Sequence, residues 1–260
     1  MKRSIGITGI VLTASALGLL LLSHRPASRK PATLCSGTDG REAATRVAPG
    51  PYDVMLEEWG STAPLCLHTD GGPDFRVTRS AIGQDTVGAY PNISTVLRHD
   101  GLPVRISRMG APASSWQVRT PGTTGSFDVM YDITIGQYRT STSWAGGAEV
   151  MIWLTTRGHP YPLGRIVATH ALIGGAAYTV WVAHPPTNSD QIIVTFIRER
   201  PALAVRGLRL GRFIRLAAAY GPFPTSYYLV RVQAGIEIIR GGQGFATTSF
   251  SYRPSPRRHR

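Results

Sequence analysis

The chain has 260 residues, enough for one domain with a sizeable core. With 29 Gly, 19 Pro, only 17% charged residues and many β-branched runs, it fits an all-β domain rich in turns, not a coiled coil or a disordered chain. The net charge of +13 invites nucleic acid as a partner, but no helix-turn-helix, zinc-finger or aromatic RNA-binding signature accompanies it, so nucleic acid is set aside.

In chain order, Lys2 and Arg3 precede an apolar run from Ile5 to Leu22, followed by a basic segment to Lys30. Residues 1–30 read as a secretory signal or an uncleaved anchor, with residues 4–22 able to enter a membrane. Either way the remaining chain is expected outside the cytosol, secreted or held at the envelope. Residues 31–50 read as a tether. Cys35 and Cys66 both lie beyond the apolar run, where a disulfide is favoured over two free thiols. Such a bridge would close a loop of about 32 residues and contribute about 3–4 kcal/mol in the chain-entropy account.

Strand patterns follow at Tyr52–Gly60, carrying Glu57 and Trp59, at Phe75–Ile82 and at Tyr90–Ser94. The loop Leu97–Pro103 holds His99. Phe127–Ile135 alternates, with Asp128, Met130, Asp132 and Thr134 on one face and Val129, Tyr131, Ile133 and Ile135 on the other. Gly147–Leu154 alternates in the same way: Val150, Ile152 and Leu154 belong in a core, whereas Glu149, Met151 and Trp153 share the second face. A carboxylate in so apolar a strand is costly unless it faces a cleft or a partner, the alternative being a Glu on a wet sheet face. Arg165–Leu172, Tyr178–Ala183 and Gln191–Arg198 are three further strands. Val205–Tyr220 breaks the rhythm with apolar residues at helical spacing, and Arg206, Arg209, Arg212 and Arg215 read as a solvated side of that helix. In Tyr228–Ile238, the set Tyr228, Val230, Val232, Ala234, Ile236 and Ile238 opposes Leu229, Arg231, Gln233, Gly235 and Glu237. The basic tail, residues 253–260, suits an anionic membrane or wall.

The chain has only six Glu, and Glu149 and Glu237 occupy its two strongest strand patterns. Two strand-borne carboxylates facing one groove are what glycoside cleavage needs: one attacks or orients water and the other protonates the departing oxygen. No Gly-x-Ser-x-Gly elbow, phosphate-cradling glycine loop or His-x-x-x-His metal spacing competes with this, and the chemistry needs no cofactor.

The stretch Glu149-Val-Met-Ile-Trp-Leu154, together with Gln233-Ala-Gly-Ile-Glu237, Gly241-Gly-Gln-Gly244 and Thr248-Ser-Phe-Ser251, resembles glycoside hydrolase family 12 from about Cys35 to Tyr252. The resemblance implies a two-sheet antiparallel β-jelly roll over residues 51–252, with one helix on its convex side. It implies retaining hydrolysis of β-1,4-glucan by a monomer, with Glu149 as nucleophile, Glu237 as acid/base and Asp132 orienting Glu149. It also implies a Cys35–Cys66 bridge between the first two strands. Sugar contacts are expected from Trp59, Met151, Trp153, Gln233 and His99, and from Glu57, which stands where the family has Asn. The loop around His99 is shortened, and Ile238-Ile239 replace the family's Pro-Trp. The alternatives are an envelope-tethered carbohydrate-binding jelly roll with weak or lost activity, and a basic structural protein of the envelope with no groove.

Overall fold

The computed structural model describes residues 30–36, 44–47, 50, 52–59, 61–99, 101–120, 125–141, 145–158, 160–185 and 191–255. The apolar run at 5–22, most of the tether, Trp144, His159 and the end of the basic tail lie outside them. The strands are β1 (Ala32–Cys35), β2 (Ala44–Val47), β3 (Tyr52–Met55), β4 (Leu65–Thr69), β5 (Phe75–Ser80), β6 (Ile82–Gly83), β7 (Asn92–Thr95), β8 (Val104–Arg105), β9 (Ala113–Arg119), β10 (Ser126–Gly136), β11 (Ala148–Arg157), β12 (Arg165–Ile173), β13 (Ala176–Ala183), β14 (Ile192–Arg198), β15 (Ala204–Leu208), β16 (Tyr228–Gly241) and β17 (Ala246–Arg253). Among the described residues one α-helix, α1, spans Leu210–Tyr220.

Six strands form one sheet in the order β1-β4-β5-β17-β9-β15, and eleven form the other, along the path β12-β13-β14-β11-β10-β16-β7-β3-β2 with β6 and β8 on β16. This is the expected two-sheet jelly roll. Its pairs are antiparallel, as expected, except that β11 runs parallel to β14. The core lies between the sheets because each strand sends alternate residues inward. Val150, Ile152 and Leu154 of β11, Tyr131 and Ile133 of β10, and Val232, Ala234 and Ile236 of β16 are all buried there.

Helix α1 packs on the eleven-stranded sheet through Phe213, whose ring meets Tyr178 and Phe196 edge-on at 5.1 and 5.3 Å. Leu210, Ile214 and Ala217 bury the same side, and fully burying each large apolar side chain contributes about 1.5–3 kcal/mol. The helix starts five residues later than its periodicity suggests. Val205 pairs with Trp116 of β9, and Gly207 has φ +59° with its N–H donated to Ser115 Oγ at 2.9 Å. A left-handed backbone there ends helical propagation. Arg206 therefore lies on a strand, Arg209 precedes the helix, and only Arg212 and Arg215 share its exposed side.

Cys35 and Cys66 form the expected disulfide, S–S 2.05 Å. It joins β1 to β4, which are neighbours in the six-stranded sheet but not consecutive in the chain, since β2 and β3 belong to the other sheet. A second correction concerns β16. Its register with β10 slips between Thr134 and Ile135, so Leu229 is wholly buried in the core. Tyr228 becomes half-buried, its hydroxyl taking a hydrogen bond from Arg105 Nε at 2.8 Å. The bulge adds one residue and exchanges the faces of the two side chains.

Candidate active site

The second face of the eleven-stranded sheet carries rows of side chains set by register. One row runs Trp181, Thr195, Met151, Asp132, Gln233 and Ser94 across six strands. A neighbouring row runs Ile197, Trp153, Met130, Gly235 and Asn92. Above these rows lies a groove of about 1130 Å³, lined by Glu149, Met151, Trp153 and Glu237 with Trp59 at one rim. Tyr161 and Leu163, both largely exposed, form an apolar lip.

A small apolar cluster of Tyr90, Met130 and Trp153 floors the groove, apart from the main core. Tyr90 is fully buried and donates its hydroxyl to the Met130 carbonyl at 3.3 Å. Its ring fits because Gly235 has no side chain: a Cβ there would stand 2.7 Å from the ring and 2.5 Å from the Pro91 carbonyl oxygen. Tyr90 in turn backs Trp59, ring centroids 5.9 Å apart, and Trp59 as a whole is 37% exposed. An indole held in this way offers a flat apolar surface to a sugar ring. The Trp153 indole N–H is buried with no acceptor.

Glu149 stands opposite Thr134, and Glu237 opposite Asp128, six residues apart along β10. On a straight strand that is roughly 20 Å. Yet both line one groove, and the charge of Glu237 raises the pKa of Glu149. The register slip between Val129 and Met130, which lies between the two positions, supplies a bend there.

Each glutamate has its own partner. Glu149 is 5% exposed and accepts a hydrogen bond from Gln191 Nε2 at 3.2 Å. Burial first, then the charges of Glu237 and Glu57, push its pKa up to about 8. Glu237 is equally buried and faces a second carboxyl, Asp128, which is wholly buried. No N–H or hydroxyl of a neighbouring group reaches either carboxyl oxygen of Asp128, and the Glu237 carboxyl opposite it is the group placed to share a proton with one of them. Burial and that neighbour hold Glu237 well above the carboxylate range, while burial lifts Asp128 to about 7.

Asp132 is also buried and raised, by burial first and next by the charge of Glu149. It pairs in register with Met151, and the side chain seen to donate to Glu149 is Gln191. Of Asp128, Asp132, Glu149 and Glu237, only Asp132 feels a lowering cation, Arg231. Burial and mutual repulsion thus favour the neutral form across the set, the kind of perturbation that marks a functional pocket.

Glu57, in the turn after β3, has φ +42°, an uncommon value for a residue with a side chain. Its Oε2 accepts from Asn92 Nδ2 at 2.6 Å and Gln233 Nε2 at 2.8 Å. Gln233 is thus buried beneath the groove and spent on holding Glu57, not presented at the surface where a sugar contact was expected. His99 is a plainer correction. It is exposed in the turn after β7, its N–H donated to the Val96 carbonyl at 3.1 Å, and it does not line the groove. The shortened loop turns back, with Arg98 at φ +70°, before reaching the cleft. Trp181 is half-buried on the groove face of the sheet. Ile239 lines the groove, while Ile238 is core.

Gln191 and Asp128 are the side chains beside the two glutamates that the pattern of the sequence did not single out. Asp128 could be placed on the right face by alternation, but its significance depends on what stands opposite it on another strand.

A jelly roll whose concave face buries paired carboxyls beside an exposed indole is the architecture of a glycoside hydrolase. Residues 50–253 match Glycosyl hydrolase family 12, and the chain belongs to that family. The endoglucanase Cel12A from Rhodothermus marinus has a similar structure, with TM-score 0.79 and 33% identity over 86% of this chain and 99% of that one. Endoglucanase A of Aspergillus kawachii is 25% identical over 219 residues, covering 81% of this chain and 87% of its own. A probable xyloglucan-specific endo-β-1,4-glucanase A of Aspergillus terreus is 24% identical over 96% of this chain and 97% of its own.

Proposed function

We propose that this chain hydrolyses internal β-1,4 bonds of cellulose or related β-glucans with retention of configuration. The observation that carries this reading is the unequal partnering of Glu149 and Glu237 across one groove: an amide donor on one, a carboxyl on the other. Glu149 is held by an amide donor, which favours its charged form, whereas Glu237 has a carboxyl beside it, which favours its neutral form. The groove therefore passes through a state with Glu149 charged and Glu237 protonated. Glu149 attacks the anomeric carbon. As the C–O bond breaks, its electron pair stays on the departing oxygen, which takes the Glu237 proton. Glu149 becomes an ester while Glu237 becomes a carboxylate, so the net charge of the groove does not change. Water then gives its proton to Glu237 and displaces Glu149.

Trp59 serves as a sugar platform, with Met151 and Trp153 beneath the sugar at the cleaved bond. Asp132 adds a buried carboxyl next to Glu149 that resists a second charge there. Glu57, held by Asn92 and Gln233, presents acceptor oxygens where the family has an amide, favouring sugar hydroxyls as donors. The enzyme acts as a monomer outside the cytoplasm. The apolar run in residues 1–30 is its signal or anchor, residues 31–50 are a tether, residues 51–252 the catalytic unit and residues 253–260 a basic tail. Among the described residues no helix is long and apolar enough to cross a membrane, and the apolar run is not among them.

The test is reducing-sugar release from carboxymethylcellulose, mixed-linkage β-glucan and xyloglucan by the wild type and Glu149→Gln. Release by the wild type, lost at least about a thousandfold in the variant, is expected. Equal release by both would remove Glu149 from the mechanism, and retained glucan binding with no release by the wild type would restore the binding-module reading.

A further inference from the structure

We propose that Asp128 is the positioning partner of the acid/base: it fixes the proton on Glu237 and so extends the reaction to higher pH. The proposal rests on the assignment of Glu237 as the acid.

The geometry comes first. Asp128 and Glu237 are directly opposite in the β10/β16 register, and both point to the groove face. Asp128 is 0% exposed, against 5% for Glu237, so it sits beneath the acid and away from the sugar. Neither of its carboxyl oxygens meets a donor from an amide, hydroxyl or guanidinium. An unpartnered buried carboxyl is costly and is not retained by packing alone, because an apolar or amide residue would fit the same strand position at lower cost. Its one available satisfaction is the proton of Glu237, accepted as a hydrogen bond.

The charged and titratable groups around the pair agree. Asp132 lies two pleats along β10, Glu149 approaches from β11, Glu57 from the turn after β3, and the Tyr90 phenol from the segment before β7; the charges of Asp128 and Glu57 raise Glu237. On β16 itself, Arg231 acts on Asp132, and Arg240 at the rim is engaged by Asp85 and the Gln84 carbonyl. No cation in this set offsets the pair, so removing its last proton would leave two adjoining buried carboxylates.

The consequence falls on both half-reactions. In the first, Glu237 stays protonated at pH values where a solitary carboxyl would be ionised, so the departing oxygen finds a proton. In the second, Glu237 must take a proton from water, and the Asp128 carboxylate next to it makes Glu237 the stronger base. Asp128, wholly buried beneath the acid, acts only through Glu237.

The test uses the full chain and the near-isosteric Asp128→Asn. The amide removes the neighbouring charge and donates to ionised Glu237, so Glu237 loses its proton more readily. The alkaline limb of kcat/KM is expected to move down by about one pH unit or more, with a rate loss of about tenfold or more at pH 8 and much less at pH 5. A readout independent of turnover is ¹³C NMR titration of the side-chain carboxyl carbons, tractable with only six Glu in the chain. Glu237 of the wild type should titrate well above the ordinary carboxylate range and drop in Asp128→Asn. An unmoved alkaline limb, or a wild-type Glu237 that titrates like a free carboxyl, overturns the proposal even if the variant folds poorly. Glu237→Gln separates the two claims. If it keeps wild-type activity, the acid assignment fails and takes this proposal with it; if it is inactive while Asp128→Asn leaves the limb in place, only the role of Asp128 fails.

Discussion

Glu149 and Glu237 are the same residue type, equally buried, on two strands that both flank β10, yet their surroundings differ in one respect. Glu149 has an amide donor, Gln191, reaching across from the start of the neighbouring parallel strand. Glu237 has an acid, Asp128, reaching across from the antiparallel one. A donor favours the charged form and a second carboxyl favours the neutral one. Burial alone would have raised both and left their order undecided. In the proposed mechanism the partners set that order, and with it which glutamate attacks and which protonates.

The comparison breaks most visibly at the acid. Glu237→Gln should lower kcat/KM on glucan by about 10²–10⁴-fold. On an aryl glycoside whose leaving group needs no proton, the first step should survive and a glycosyl-enzyme should accumulate, seen as a burst of released phenol. A uniform loss on both substrates would show that Glu237 supplies something other than a proton.

A smaller effect is expected at the donor. Gln191→Leu removes the hydrogen bond that favours the Glu149 carboxylate, so the acid limb of kcat/KM should move to higher pH. Below that limb the rate should fall about tenfold, the usual weight of a hydrogen bond to a charged group. Above it the rate should approach that of the wild type. A loss independent of pH would mean that Gln191 shapes the groove and does not tune Glu149.

The smallest expected effect is on stability. Asp128 and Glu149 have pKa values raised in the folded protein to about 7 and about 8, above their unfolded values. The native state thus binds protons that the unfolded chain has released. Stability from this source is complete below the unfolded pKa and is lost as pH rises through about 7 and about 8. Calorimetry should show a Tm several degrees lower at pH 8 than at pH 5, with a flatter profile for Asp128→Asn. A Tm that rises over this range would contradict the buried neutral carboxyls.

Much of this was legible in the sequence where one strand's own alternation decides. Val150, Ile152 and Leu154 against Glu149, Met151 and Trp153 could be read directly, and so could Asp132 and Glu237. What depends on a second strand could not. Period-two patterning does not count bulges, so Tyr228 and Leu229 exchanged faces. It cannot see the positive φ of Gly207, so the helix was started too early and Arg206 and Arg209 were placed on it. Nor does it show that Gln191 meets Glu149, or that Asp128 meets Glu237, because those meetings are facts of register. His99 failed for a related reason: a loop's composition does not say which way it turns.

The central claim is that Glu149 attacks carbon while Glu237 handles the proton. The most direct measurement is ¹H NMR of the anomeric proton formed first during hydrolysis of a soluble β-glucan oligosaccharide. Two displacements predict that the β-anomer appears first and the α-anomer only later, by mutarotation. An α-anomer appearing first would mean a single displacement by water, and would contradict the account.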